Sequence, residues 1–121
     1  MKENADELLG KGIKLFEAEN YEASLVTLYR AAKLGSSDAM SLIGTIYDDK
    51  ESFKNNRKAI YWYKRGVESG NSSCAWNLAM RSARKRRLSN YLHWLDVAKQ
   101  LGDQDAETEL KRREWWQLFN A

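Results

Sequence analysis

The chain contains no proline, one cysteine and one histidine among its 121 residues. Without proline, no helix interior has to be broken. The single cysteine, Cys74, excludes an intramolecular disulfide. The lone histidine, His93, has no cysteine nearby and cannot build a zinc site by itself. β-Branched residues are sparse, and no stretch alternates apolar and polar with period two, which argues against strands. No apolar run is long enough for a signal peptide or a membrane span, so the expected location is cytoplasmic and no membrane is expected as a partner. The length fits one domain over residues 1–121, able to bury about two-thirds of its unfolded surface without staples.

What is present is a repeat. Gly35, Gly70 and Gly102 lie 35 and 32 residues apart in matching local frames. Upstream run SLVTLYRAAKLG (24–35), AIYWYKRGVESG (59–70) and YLHWLDVAKQLG (91–102). Four positions downstream stands a small residue (Ala39, Cys74, Ala106), and eight positions downstream a branched aliphatic (Ile43, Leu78, Leu110). Such spacing marks a solenoid of helix pairs, which presents surfaces and seldom houses a catalytic cleft. Numbering each upstream segment from zero, positions 0, 3, 4, 7 and 8 share one helical face. A glycine suits the left-handed residue that ends a helix, and the Ser, Asn and Asp residues that follow are N-cap formers. Each glycine is therefore expected to be the corner of a helix–turn–helix hairpin, with Trp62 and Trp94 buried between the two helices of their own hairpins. Seven helices are expected, at about 4–18, 21–34, 38–48, 57–69, 72–86, 89–101 and 103–118. The polar connection 48–57 should extend one hairpin, with Phe53 tucked back.

Ala59, Trp62, Tyr63, Gly70, Leu78 and Ala79 form a pattern that resembles the Sel1-like repeat family, a relative of tetratricopeptide repeats. Ala31, Ala32, Gly35, Ala39, Ile43, Gly44 and Tyr47 fit an earlier unit, and Trp94, Ala98, Gly102, Ala106 and Leu110 a later one. Leu8, Gly12, Leu15, Tyr21, Leu28 and Ala31 resemble a tetratricopeptide unit. Ser24, Thr27, Gly66, Val67, Tyr91 and Lys99 depart from the pattern. The resemblance implies an all-α, right-handed α-solenoid of about three helix-hairpin repeats with a terminal capping helix. It also implies a protein–protein interaction module with no catalytic residue in the pattern.

Chemistry-bearing motifs are few. His93 is expected to face away from the hairpin core. Cys74 occupies the small slot of the repeat and is expected to be a buried packing residue. Gly10-Lys11-Gly12 lacks the spacing and the following Ser or Thr of a phosphate loop. Asp48-Asp49 and Glu17, Glu19 and Glu22 have no accompanying base, metal-ligand set or oxyanion donor. Asn71-Ser72-Ser73 spells a glycosylation acceptor inside a tight turn, and Arg86-Arg87-Leu88-Ser89 spells a basophilic kinase site. No enzyme activity, metal or cofactor is expected.

The formal net charge of +3 is unevenly placed: residues 71–102 hold six cations against one carboxylate. Most belong to a basic patch, Arg81, Arg84, Lys85, Arg86 and Arg87. Cations at a helix C-terminus complement its dipole; the alternatives are a docking patch for an acidic partner, nucleic-acid phosphate, or a nuclear import signal. A second surface comes from positions 2, 5, 6 and 9 of the helix preceding each glycine. Tyr29, Arg30, Lys33, Tyr61, Lys64, Arg65, His93 and Asp96 would line a concave wall, in a tyrosine–arginine mixture typical of interfaces. The alternative is that Tyr29 and Tyr61 merely cover neighbouring repeats. Trp115, Trp116, Leu118 and Phe119 form an apolar tail that either caps the last repeat or forms an interface. The expected function is a non-catalytic interaction module, an adaptor or a cytoplasmic immunity protein neutralising a toxin. Its partner would be another protein with an acidic contact surface. The alternative is a nucleic-acid-binding protein using 81–87. A monomer is expected, a homodimer through the tail being the other option.

Overall fold

The computed structural model describes the backbone of residues 2–120, and the side chains of these except 115, 116, 119 and 120. Seven α-helices follow one another: α1 (Ala5–Glu17), α2 (Tyr21–Lys33), α3 (Ser37–Asp49), α4 (Asn56–Glu68), α5 (Ser72–Arg84), α6 (Leu88–Gln100) and α7 (Gln104–Asn120). Among the described residues there is no strand. All the expected helices are present.

Their starts are written in side chains that accept a first-turn N–H. Asn4, Asn20, Ser36, Asn55, Asn71 and Asp103 each accept from the backbone N–H three residues on, which satisfies one of the orphan donors of a helix end. Their ends use the left-handed residue. Gly35 (φ 98°), Gly70 (φ 84°) and Gly102 (φ 98°) adopt it, and so do Glu19 (φ 61°) and Arg86 (φ 57°). At Gly35 the N–H donates to the Ala32 carbonyl (2.9 Å) and the next N–H, of Ser36, to the Ala31 carbonyl (3.1 Å), the bonding of a Schellman motif.

The chain divides into two compact units, Met1–Ser69 and Gly70–Ala121. In the first, α1 packs on α2, α2 on α3 and α3 on α4, and α1 also touches α3. Its core contains Leu8, Leu28, Ala31, Ala39, Ile43, Ile46, Ala59 and Tyr63, all at or near zero exposure. Each large aliphatic among them contributes about 1.5–3 kcal/mol by leaving water. Two glycines bring helices close. A Cβ on Gly12 would lie 2.5 Å from a Leu28 methyl, and one on Gly44 would lie 2.5 Å from the Tyr63 ring. In the second unit, α5 packs on α6 and α6 on α7. Its core holds Cys74, Ala75, Leu78, Ala79, Tyr91, Leu95, Ala98 and Ala106.

The repeat positions recur in burial. Position 0 (Ser24, Ala59, Tyr91), position 4 (Leu28, Tyr63, Leu95) and position 7 (Ala31, Gly66, Ala98) are buried in all three segments. So is the small residue four beyond each glycine. Departures from the repeat pattern have local partners: the buried Ser24 hydroxyl donates to the Gly12 carbonyl (2.8 Å), and the Tyr91 hydroxyl to Glu109 (3.0 Å).

Two expectations need correction. The most extensively packed pairs are α1 with α2, α3 with α4, and α5 with α6. Their connections run through Glu19, residues 50–55 and Arg86. Gly35 and Gly102 do join helices that pack, but less intimately; inside helices, Gly12 and Gly44 stand where the facing Leu28 and Tyr63 leave no room for a Cβ. The helices preceding Gly35 and Gly70 are therefore the second members of their tight pairs. Secondly, Trp62 and Trp94 are only half-buried. Position 4, not position 3, points between the paired helices, and Trp62 leans sideways from α4 onto Tyr29 of α2.

The connection after α3 behaves as expected. A 3₁₀ turn at Glu51–Phe53 holds Phe53 half-buried, its ring edge-on to Tyr21 at 6.3 Å. Lys50 Nζ lies over Phe16 (5.2 Å) and Tyr21 (5.1 Å).

Candidate functional site

The first unit carries an aromatic–basic cluster on α2 and α4. Tyr29 and Trp62 meet edge to face with centroids 5.2 Å apart, and Tyr61 meets Trp62 at 5.3 Å and 88°. Arg65, one turn beyond Tyr61, places its guanidinium carbon 5.7 Å from the Trp62 ring and 5.9 Å from the Tyr61 ring. Its Nη1 donates to the Tyr61 hydroxyl at 3.1 Å. These contacts stiffen side chains that would otherwise lose rotamer freedom on binding. The surface nevertheless stays open: Tyr61 is 53% exposed and Val26, on α2, 62%.

Tyr29 is anchored from behind. Its hydroxyl and that of Tyr47 share a 2.6 Å hydrogen bond. Burial first, then that bond, pushes the Tyr47 phenol well above its ordinary value. Arg30 is exposed, 4.0 Å from Glu3, whose carboxyl is held below the usual range chiefly by its hydrogen bond from Lys11. Lys33 and Lys64 are exposed. Six of the eight expected wall residues thus lie in this unit, and Tyr29, Tyr61 and Arg65 are drawn together by Trp62. From its repeat position alone, Trp62 is expected in the core. The available signal was Thr27, a polar residue at the same repeat position.

The other two wall residues lie in the second unit. His93 is exposed on α6, its ring 4.8 Å from that of Trp94. Asp96 is exposed and accepts from Gln100 (2.8 Å).

The expected basic patch is split. Arg81 is 8% exposed and belongs to the packed face of α5. Arg84, Lys85, Arg86 and Arg87 are exposed at the end of α5 and in the turn to α6. Arg86 and Arg87 border a concavity of about 340 Å³ together with Ala83, Leu88, Tyr91 and Arg113. Arg113 comes from α7, 26 residues beyond Arg87, and no local pattern announced it. Beside it, Arg112 makes bidentate contacts to Glu109 (2.8–3.2 Å). Foremost through Arg112, and against some desolvation, the Glu109 carboxyl is held below the usual range.

Cys74 is buried and forms no disulfide. Among the described residues, no three of His, Cys, Asp and Glu gather as a metal site would require, and no helix is long and apolar enough to cross a membrane. Leu118 is exposed. The side chains of Trp115, Trp116 and Phe119, the expected tail interface, lie outside the described residues.

No protein-family model matches this chain, and no curated protein matches it.

Proposed function

We propose that the chain is a non-catalytic protein-binding module whose contact surface is the α2/α4 wall of the first unit. The observation that carries this is the Tyr29–Tyr61–Trp62–Arg65 cluster: large, pre-ordered aromatic area with a stacked guanidinium, open to solvent. Tyr, Trp and Arg are the side chains that dominate binding energy at interfaces. Exposed Arg30, Lys33 and Lys64 around it suit an acidic partner surface. The residues resemble Sel1-like and tetratricopeptide repeats, and with that resemblance goes a right-handed solenoid of about three hairpins and a terminal capping helix. A buried cysteine outside any disulfide fits a reducing compartment such as the cytoplasm. Within this class the roles are an assembly adaptor or an immunity protein that blocks a toxin.

The test is affinity capture from the native host with the parent chain and with Tyr61→Ala/Arg65→Ala. A partner held by the parent and lost by the variant, at unchanged circular dichroism, supports the wall. A partner held equally by both overturns it. For an immunity protein, the captured partner should be a toxin encoded by a neighbouring gene.

The exposed cations Arg84, Lys85, Arg86 and Arg87 favour a second reading, nucleic-acid binding. It requires tight association that persists at physiological salt, where a purely electrostatic contact fades.

A further inference from the structure

The concavity in the second unit is chemically unlike the α2/α4 wall, and three arginines from two separated segments converge on it. Arg86 and Arg87 arrive from the turn after α5, and Arg113 from α7. Neither Arg86 nor Arg87 has a carboxylate within ion-pair distance among the described residues. Arg113 is held differently. Its guanidinium carbon sits 4.8 Å over the Tyr91 ring. Its Nε is buried and has no hydrogen-bond acceptor. The one carboxylate within ion-pair distance of it among the described residues, Glu109, stays 3.7 Å from that nitrogen and is already engaged by Arg112 and by the Tyr91 hydroxyl. The cup therefore holds more positive charge than its surroundings neutralise, and the Arg113 side chain is 42% exposed, so part of it can reach a ligand.

We propose that this cup binds a phosphate monoester carried on a side chain of a partner protein. The charge count favours phosphate over carboxylate. A phosphorylated side chain brings about −1.5 to −2 charge and three acceptor oxygens, enough to engage three guanidiniums at once, whereas a carboxylate satisfies one in bidentate fashion. The rim favours a peptide over a free ion: Ala83 and the largely exposed Leu88 offer apolar contact to a residue flanking the phosphate. Nucleic acid fits less well. Single-stranded binding leans on aromatic faces that stack bases, but among the described residues lining the cup the one ring, Tyr91, is 7% exposed and lies beneath Arg113. The backbone contributes too. Arg87 is the N-cap of α6 and provides no side-chain cap, so the helix start beside the cup retains unsatisfied N–H groups and its positive dipole end.

Fluorescence anisotropy with the full chain at about 0.15 M salt tests this. The probes are a fluorescein-labelled peptide carrying one phosphoserine next to leucine, its unphosphorylated and glutamate counterparts, and a ten-nucleotide single-stranded RNA. The phosphopeptide should bind at least about tenfold more tightly than each of the other three. Arg113→Gln and Arg86→Gly should each weaken it by about tenfold. Lys99→Gln, which removes a cation at the far end of α6, should not. Arg86→Gly guards against a folding artefact, because glycine takes the left-handed turn position more readily than arginine. Absence of phosphopeptide binding, equal binding of the unphosphorylated or glutamate peptide, equal binding of the RNA, or an unaffected Arg86→Gly variant would each overturn the proposal.

Discussion

Two glycines inside helices should respond to the same substitution with opposite signs. Gly44 lies on α3 against α4. A Cβ there would meet Cδ1 and Cε1 of Tyr63 at 2.5 Å and its Cζ at 3.0 Å. Relaxed carbon contacts need about 3.5–4.0 Å, so ring and helix must part by about 1 Å. Tyr63 has little room to yield: it is 2% exposed, and its hydroxyl bonds to Thr45 (3.3 Å) and Asp48 (3.4 Å). Overpacking of this kind costs about 1–3 kcal/mol. Alanine recovers roughly 1 kcal/mol over glycine in a helix interior. With a ring that cannot swing away, Gly44→Ala should lose about 1–2 kcal/mol net. Gly10, on α1, has nothing within 4 Å of its Cβ direction, so Gly10→Ala should gain about 0.5–1 kcal/mol from propensity alone. Urea unfolding followed by circular dichroism reads both. Combining Gly44→Ala with Tyr63→Leu should restore part of the loss, a coupling of about 0.5 kcal/mol or more. A Gly44→Ala variant as stable as the parent, or two glycines moving in the same direction, would refute the close α3–α4 packing.

Relieving the left-handed backbone at Glu19 by Glu19→Gly should stabilise by up to about 1 kcal/mol, while Gly35→Ala should destabilise by roughly 1–2 kcal/mol; thermal melts compare the two signs. Ser24→Ala removes the second hydrogen bond accepted by the buried Gly12 carbonyl, which keeps its helical N–H partner, and should cost about 0.5–1.5 kcal/mol in denaturant unfolding; an unchanged midpoint would mean that the Ser24 bond adds nothing to the fold. Glu109 is held below its unfolded value, so the stability it contributes is full above the ordinary carboxylate range and is lost as pH falls through its folded value. The melting-temperature difference between the parent and Glu109→Gln should therefore be present at about pH 6 and shrink toward about pH 3. A difference constant over that window would show that Glu109 acts through packing alone.

Several features were legible in the sequence because they are local. Helix starts depend on an Asn, Ser or Asp accepting from an N–H three residues on, and helix ends on a residue tolerating positive φ. Both fall within a few positions, and the three glycines advertised the ends. The recurrent burial of positions 0, 4 and 7 was likewise visible, since a 3.6-residue period sorts side chains by face before any partner helix is known. Which helices pair most closely was not legible. Gly35 marks a turn, but Gly12 and Gly44 serve packing, and only the ring of Tyr63 and the methyl of Leu28 reveal why those positions carry no side chain. Trp62 shows the same limit. Its helical face was readable, but whether that edge of the face meets a paired helix or a more distant one depends on the tertiary packing that brings Trp62 of α4 to Tyr29 of α2. Arg113 shows it most plainly: it joins Arg86 and Arg87 only because α7 folds back on α6, and a contact between segments 26 residues apart leaves no trace in local spacing. Short-range bonding and periodicity determined the elements, and the packing of side chains between them decided where the two candidate surfaces lie.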